Sequence, residues 1–179
     1  AMSVAAGRLS YSYGAQGPCM AVDTACSSSL VCTHLANSSW SVSQLSAALV
    51  SGVNLTLEAV TTLTFHVAGM LAPDGRCKTL DATGDGYVRG EACVMLGLCE
   101  TDLTEDQPTV AATLSGSAVN QDGRSSSLTA PNGPAQQLAI RSALRAADDA
   151  PASHVAGLQL HGTGTPLGDP IEVGAVCAV

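Results

Sequence analysis

The residue best placed for chemistry is Cys26, which stands between a short apolar run, 20–22, and a run of serines. Asp23 and Thr24 are good helix N-caps, so the sequence predicts a strand that ends at residue 22 and a helix over 26–36. At the first turn of a helix, unpaired N–H groups and the helix dipole favour a thiolate. Small neighbours leave room for a substrate carbonyl. Cys26 is therefore a candidate nucleophile, and the alternative is a small buried hydrophobic residue.

A second candidate is His161, which follows the apolar segment 155–160 and precedes a loop whose early glycines let the backbone approach a ligand. The glycine spacing over 162–168 does not fit a dinucleotide-binding loop, and Pro166 interrupts it. A lone histidine is more often structural. However, both candidates follow predicted strands, at the carboxyl edge of the sheet where open α/β proteins bind their ligands. Cys26 and His161 together predict thiol-based acyl transfer in a common pocket.

An Asp- and Gly-rich segment and the four histidines could suggest metal binding, but neither matches the spacing of a known metal site. The segment 81–86 resembles the start of a calcium loop, but Thr83 and Ala92 occupy ligand positions and Glu91 comes one place too early. We interpret this segment as a structured surface or interface loop. The remaining histidines show no ligand-like spacing to His161; they are residues 34, 66 and 154. No metal is therefore expected.

The composition excludes several functional classes. The 179 residues carry a net charge of −8 with only seven Lys and Arg, which argues against nucleic-acid binding. Hydrophobic residues make up 46% of the chain, enough for a core that relies on small and aliphatic side chains. The sequence shows neither a signal-peptide pattern nor an apolar stretch of membrane-spanning length. We expect a globular protein without a membrane segment.

The seven cysteines argue for a reducing compartment. Their number is odd, they form no Cys-x-x-Cys pair, and Cys93 and Cys99 lie in an apolar run. We expect reduced and mostly buried thiols, hence a cytoplasmic protein, with a plastid as the other possibility.

Apolar runs and turn signals alternate along the chain in the manner of an α/β protein. Segment 92–99 predicts a central strand, and the charged, proline-containing segment 101–108 is the best internal boundary. A helix capped by Asn132 carries Pro134 in its first turn and ends before Pro151. The other predicted strands are 20–22, 47–55, 110–115 and 155–160, and the other predicted helices are 26–36 and 58–71.

Two long motifs, 23–30 around Cys26 and 161–172 after the last predicted strand, resemble the beta-ketoacyl synthase (ketosynthase) domain of type I or modular polyketide synthases. The similarity covers nearly the whole chain, and segment 129–134 is more similar to polyketide than to bacterial fatty-acid synthases. The resemblance implies a thiolase-like α/β fold of layered αβαβα type with two similar halves, usually dimeric. Residues 1–100 would belong to the first half and 108–179 to the second.

The resemblance also implies a mechanism with no bound cofactor. Cys26 would accept an acyl chain from the phosphopantetheine arm of an acyl carrier protein, and a malonyl-type extender would lose carbon dioxide and attack the thioester. His161 would stabilise the enolate, Thr163 and Thr165 would contact the pantetheine arm, and Glu172 would support the site through hydrogen bonds.

Some expected family features lie outside this sequence. The second catalytic histidine, a lysine and a Gly-rich loop would follow Val179, so we expect the chain to be a partial domain. Gly7 and segment 66–69 also depart from the usual pattern. Two alternatives therefore stay open. One is a ketosynthase that transfers chains without elongating them, and the other is an inactive fold fragment or interaction module.

Overall fold

The computed structural model describes residues 2–43, 45–100 and 110–179. The helices of this part of the chain are α1 (Met2–Tyr13), α2 (Ser28–Ser43), α3 (Ala59–Val67), α4 (Gly133–Ala146) and α5 (Gly168–Cys177). The strands are β1 (Ala47–Asn54) and β2 (Ala92–Cys99), which pair in one sheet. Single 3₁₀ turns occupy Ala25–Ser27 and Ala152–His154. No helix among the described residues combines the length and apolar character that a bilayer crossing requires.

The chain forms two compact units, each made of two sequence segments. The first unit comprises the described residues of 1–53 and 92–112. In it, Val50 of β1 is buried. A Cβ on Gly52 would lie 3.0 Å from the Cβ of Ser29, so glycine and serine allow β1 and α2 to approach closely.

The second unit comprises residues 54–91 and 113–179. Its helices α4 and α5 pack against each other, with Ala135 and Ala175 buried. Asn132 caps α4 as predicted, because its side-chain oxygen accepts a hydrogen bond from the Ala135 N–H at 3.3 Å. Small side chains thus let α4 pack closely against α5, the helix that follows the glycine-containing loop 162–167.

Strands β1 and β2 agree with the predicted strands, but three other predicted strands are wrong. Segments 20–22, 110–115 and 155–160 contain no strand. An extended segment becomes a strand only when a neighbour completes its hydrogen bonds, and the described residues supply none for these three segments. The prediction of β2 as a buried central strand is wrong as well. It pairs only with β1 in this part of the chain, and its residues are exposed or half-buried.

Helix α3 is shorter than predicted, because a glycine ends it before the Pro73 turn. Gly69 adopts φ +68°, and the N–H groups of Gly69 and Met70 donate to the carbonyls of His66 and Phe65. This closure satisfies carbonyls that the end of a helix leaves unpaired. Helix α2, in contrast, extends beyond the predicted end at residue 36.

The cysteines are free, as predicted, but the prediction that most are buried is wrong. Cys32 is half-buried, and the other six thiols are exposed. Exposure follows from the thin packing of the described residues, in which the buried apolar side chains are those of Val50, Ala72, Ala135 and Ala175.

Candidate active site

Cys26 lies at the centre of a strained turn. It is the middle residue of the 3₁₀ turn that precedes α2, and its side chain is exposed. Ala25 adopts φ +56°, a left-handed conformation that costs a residue with a Cβ about 1–2 kcal/mol. The Ala25 N–H donates to a carboxylate oxygen of Asp23 at 3.0 Å, which stabilises this conformation. The chain therefore turns sharply and presents the thiol.

Three hydroxyl side chains lock the same turn. Ser28 Oγ accepts from the Thr24 N–H at 2.9 Å and donates to the Ala25 carbonyl at 2.7 Å. Ser27 Oγ donates to the Thr24 carbonyl at 3.0 Å and lies 2.9 Å from Thr24 Oγ1. The hydroxyl residues around Cys26 thus use their hydrogen bonds on the backbone of the turn.

His161 is exposed and begins a loop held by Glu172 of α5. Glu172 Oε1 accepts a hydrogen bond from the His161 N–H at 2.6 Å, and Oε2 accepts one from the Gly162 N–H at 3.0 Å. Hydrogen bonds to a charged acceptor are stronger than neutral ones. One carboxylate therefore fixes two successive peptide groups beside the imidazole.

Thr163 and Thr165 lie next to each other in this loop, with their hydroxyl oxygens 3.3 Å apart. Thr165 Oγ1 also accepts a hydrogen bond from the N–H of Gly168, the first residue of α5, at 3.1 Å. Thr165 thereby caps the helix that carries Glu172. The second unit thus brings together four of the sequence-predicted site residues, His161, Thr163, Thr165 and Glu172.

The segment that resembled a calcium loop packs against residues 161–167, which we call the histidine loop. The Gly86 N–H donates to the Gly164 carbonyl at 3.1 Å. A Cβ on Gly84 would lie 2.7 Å from that carbonyl oxygen, and a Cβ on Gly164 would lie 2.8 Å from the Lys78 backbone nitrogen. We call residues 78–86 the cradle loop, because its backbone supports the histidine loop at distances that only glycine allows.

Asp169 is a site residue that sequence analysis missed as a separate candidate. Its side chain, in the first turn of α5, is buried with 6% exposure. Its carboxylate accepts hydrogen bonds from the Gly164 N–H at 3.0 Å and the Leu80 N–H at 2.8 Å. An acidic residue in a first helical turn is common, so its position alone did not reveal that it joins the two loops.

Lys78 closes the cradle loop through two ion pairs. Its Nζ lies 2.7 Å from a carboxylate oxygen of Asp85 and 3.2 Å from one of Asp74. The hydrogen bond to Asp85, more than the one to Asp74, raises the pKa of Lys78, and the hydrogen bond from Lys78 lowers the pKa of Asp74. Hydrogen bonds from the backbone and hydroxyl of Thr83 lower the pKa of Asp81.

No metal-binding cluster occurs in the part of the chain that the structure describes, where no three His, Cys, Asp or Glu side chains converge. Cys26 belongs to the first unit and the other four candidates belong to the second. The common pocket for Cys26 and His161 stays a prediction.

Comparison with known families adds the deciding observation. The sequence model for the beta-ketoacyl synthase N-terminal domain matches residues 1–103, and that for the C-terminal domain matches residues 111–179. The chain belongs to the beta-ketoacyl synthase family. This is the family that the sequence motifs around Cys26 and after residue 160 predicted.

Curated beta-ketoacyl synthase relatives belong to polyketide synthases. The chain is 49% identical over 176 residues to one phenolphthiocerol/phthiocerol polyketide synthase protein of Mycobacterium tuberculosis, covering 98% of this chain and 8% of that protein. It is 50% identical over 179 residues to a second protein of the same synthase and species, covering 99% of this chain and 12% of that protein. The chain thus spans about a tenth of the length of these relatives.

Solved ketosynthase structures share the fold. The ketosynthase from module 6 of the bacillaene synthase of Bacillus subtilis matches with a TM-score of 0.93 and 38% identity, over 99% of this chain and 32% of that chain. An oxazolomycin ketosynthase domain from Streptomyces albus matches with a TM-score of 0.93 and 36% identity, again over 99% and 32%. The chain therefore has part of the thiolase-like α/β fold of ketosynthases, as predicted.

Proposed function

We propose that this chain is part of a ketosynthase that extends acyl chains by decarboxylative condensation in polyketide biosynthesis. The observation that carries the proposal is that the chain matches both domain models of one family, with a cysteine on a strained turn in the first match and a histidine on a held loop in the second. An exposed thiol on a sharp turn suits nucleophilic attack, and an imidazole whose backbone is held by a carboxylate suits stabilisation of developing charge.

In the first half-reaction, the sulfur of Cys26 attacks the thioester carbonyl of an acyl chain on the phosphopantetheine arm of an acyl carrier protein. A new carbon–sulfur bond forms, and the bond to the pantetheine sulfur breaks. The proton lost by the Cys26 thiol ends on the departing pantetheine sulfur, and the acyl chain stays on Cys26 as a thioester. The locked turn keeps the sulfur in place during this exchange.

In the second half-reaction, a malonyl-type extender on a carrier arm loses carbon dioxide and becomes an enolate. The enolate carbon attacks the Cys26 thioester, and the Cys26 sulfur leaves. The product is a beta-ketoacyl chain that is two backbone carbons longer. His161 donates a hydrogen bond to the extender carbonyl oxygen, where negative charge develops. Glu172 acts indirectly, by holding the backbone of His161.

Thr163 and Thr165 are the proposed contacts to the pantetheine arm. Thr165 Oγ1 accepts from the Gly168 N–H and lies 3.3 Å from Thr163 Oγ1, so when one of the two hydroxyls donates to the other, the second O–H remains available as a donor to the tether. Because the two hydroxyls are adjacent, they can face consecutive polar groups of an amide-containing tether.

The proposal includes an acyl carrier protein as partner, a homodimer formed through the ketosynthase domain, and a cytoplasmic location. The acyl carrier protein is required because the substrates are carried on its phosphopantetheine arm. The homodimer rests on the family resemblance. The free cysteines support a reducing compartment.

The test uses a complete ketosynthase domain that contains this sequence, incubated with an acyl-loaded carrier protein. Mass spectrometry of peptides is expected to find the acyl group on Cys26. A Cys26→Ala variant should lose the label, whereas Cys19→Ala, which removes another exposed thiol, should keep it. Equal acylation of the Cys26→Ala variant would refute the assignment. Acylation without chain extension would identify the transfer-only alternative.

A further inference from the structure

The conformation of Gly162, between His161 and Thr163, is held from two sides. The Gly162 N–H donates to Glu172 Oε2 at 3.0 Å, and the Gly162 carbonyl accepts a hydrogen bond from the hydroxyl of Thr79 at 2.5 Å. The first contact fixes the peptide group before Gly162 and the second fixes the one after it. Together they determine both backbone torsions of this residue.

This conformation matters because it is unusual. Gly162 adopts φ +55°, and a Cβ there would lie 2.7 Å from Cγ2 of Thr79. Glycine crosses between left- and right-handed regions at little steric cost, so without anchors the residue would act as a swivel. A rotation at Gly162 changes the direction of His161 relative to the loop that follows it.

Thr79 is itself well anchored, although its side chain is exposed. The next residue, Leu80, adopts φ +59° and donates its N–H to buried Asp169. The preceding residue, Lys78, carries the two ion pairs and lies against Gly164. The Thr79 hydroxyl therefore projects from a rigid part of the cradle loop.

We propose that Thr79 is a positioning residue for His161, acting through the Gly162 carbonyl. Its hydroxyl holds Gly162 in the left-handed conformation and thereby sets the direction of the imidazole. This inference rests on the proposed function, in which His161 stabilises the enolate. It assigns to the cradle loop a role in the decarboxylation step, while the acylation of Cys26 depends on a separate turn.

Three variants of a complete domain containing this sequence test the proposal. Thr79→Val replaces the hydroxyl with a methyl of similar size, Thr79→Ala removes the donor without any possible clash, and Thr79→Ser keeps the hydroxyl. We expect Thr79→Val and Thr79→Ala to slow decarboxylation of a malonyl-loaded carrier protein about three- to tenfold, the effect of one hydrogen bond. In all three variants, the rate of Cys26 acylation should stay within about twofold of that of the unmodified domain. Thr79→Ser should decarboxylate the extender at close to the unmodified rate, because it keeps the hydroxyl donor.

Amide hydrogen exchange provides a readout that does not need activity. Without the hydroxyl, exchange in segment 161–165 should accelerate, while exchange in α4 and at the Cys26 turn should not change. Unaltered exchange in 161–165, or equal slowing of acylation and decarboxylation, would overturn the positioning role. If the unmodified domain neither acylates Cys26 nor decarboxylates the extender, the proposed function fails, and the exchange data still decide the role of Thr79.

Discussion

Glu172 Oε1 lies 2.6 Å from the backbone nitrogen of His161, and the second oxygen of the same carboxylate binds the next N–H. The resemblance to ketosynthases suggested only that Glu172 supports the site through hydrogen bonds. The geometry specifies the contact: the carboxylate binds the backbone at the base of the imidazole. A fixed backbone limits the directions in which the His161 side chain can point. Stabilisation of a localised charge requires a donor with a defined direction.

Replacing this carboxylate should affect decarboxylation most. Glu172→Gln keeps the size of the side chain but places an amide NH₂ against a backbone N–H. We expect about a tenfold loss in decarboxylation of a malonyl-loaded carrier, since hydrogen bonds to a charged group contribute about 1.5–3 kcal/mol. Acylation of Cys26 should persist. Glu58→Gln, at an exposed glutamate whose side chain does not cap α3, is the matched control and should behave like the unmodified domain. An equal effect of the two substitutions would contradict the account.

Gly162→Ala should damage the histidine loop. The substitution places a Cβ at φ +55° and 2.7 Å from Thr79 Cγ2, so the loop must shift. The left-handed conformation alone costs about 1–2 kcal/mol. We expect a lower Tm and at least a tenfold slower decarboxylation. Gly157→Ala is the control, because nothing lies within 4 Å of a Cβ there and its φ is not positive. If both alanines had the same effect, the conformation of Gly162 would not matter.

Acid should weaken the contact between Glu91 and Thr56. The backbone N–H and hydroxyl of Thr56 both donate to Glu91 Oε1 at 2.7 Å, and the backbone hydrogen bond, followed by that of the hydroxyl, lowers the pKa of Glu91. A lowered pKa means that the ionised form stabilises the fold at neutral pH, and that this stabilisation disappears as the pH falls below about 4.

The comparison of the unmodified domain with Glu91→Gln isolates this effect from other carboxyl groups. The amide oxygen can still accept both hydrogen bonds but does not titrate. Between pH 7 and about pH 3, the Tm of the unmodified domain should therefore fall further than that of the variant. Parallel losses of Tm would show that Glu91 does not contribute to the pH dependence.

Asp148 offers a way to stabilise the protein. It follows the C-terminal end of α4 with φ +57°, a position where glycine is usually preferred. Asp148→Gly should raise the free energy of unfolding by about 0.5–1 kcal/mol, and the Tm by about 1–4 °C. Asp148→Ala removes the same charge but keeps a Cβ, so it should give no such gain. Equal gains from both substitutions would attribute the effect to charge rather than to the backbone.

Local signals in the sequence predicted the elements that depend on local physics. Asn132 and Pro134 predict the start of α4, and apolar runs predict β1 and β2, because caps and periodicity act within a few residues. The segments 20–22, 110–115 and 155–160 have the same apolar character. They are not strands in the described structure, because strand formation also needs a hydrogen-bonding neighbour that a local pattern cannot supply.

In the candidate site, too, local sequence predicted some features, whereas others depend on tertiary contacts. Cys26 and His161 were identified from their neighbours and from motif resemblance. The sequence of segment 81–86, within the cradle loop, predicts only a structured surface or interface loop. The packing of the cradle loop against Gly164 is a long-range contact that no spacing within residues 78–86 encodes. The burial of Asp169 is also a tertiary property. The strain at Ala25 follows from hydrogen bonds to Asp23 and Ser28 that are visible only in the folded chain.

The most direct test of the central claim, that Cys26 and His161 serve one reaction, separates acylation from elongation in a single variant. A complete domain carrying His161→Ala receives an acyl group from one carrier protein and is then offered a malonyl-loaded carrier, and mass spectrometry follows both the Cys26 peptide and the carrier-bound product. We predict that Cys26 becomes acylated while the chain longer by two backbone carbons is reduced at least a hundredfold, about 2.7 kcal/mol of lost transition-state stabilisation. Formation of that product at the unmodified rate would contradict the account.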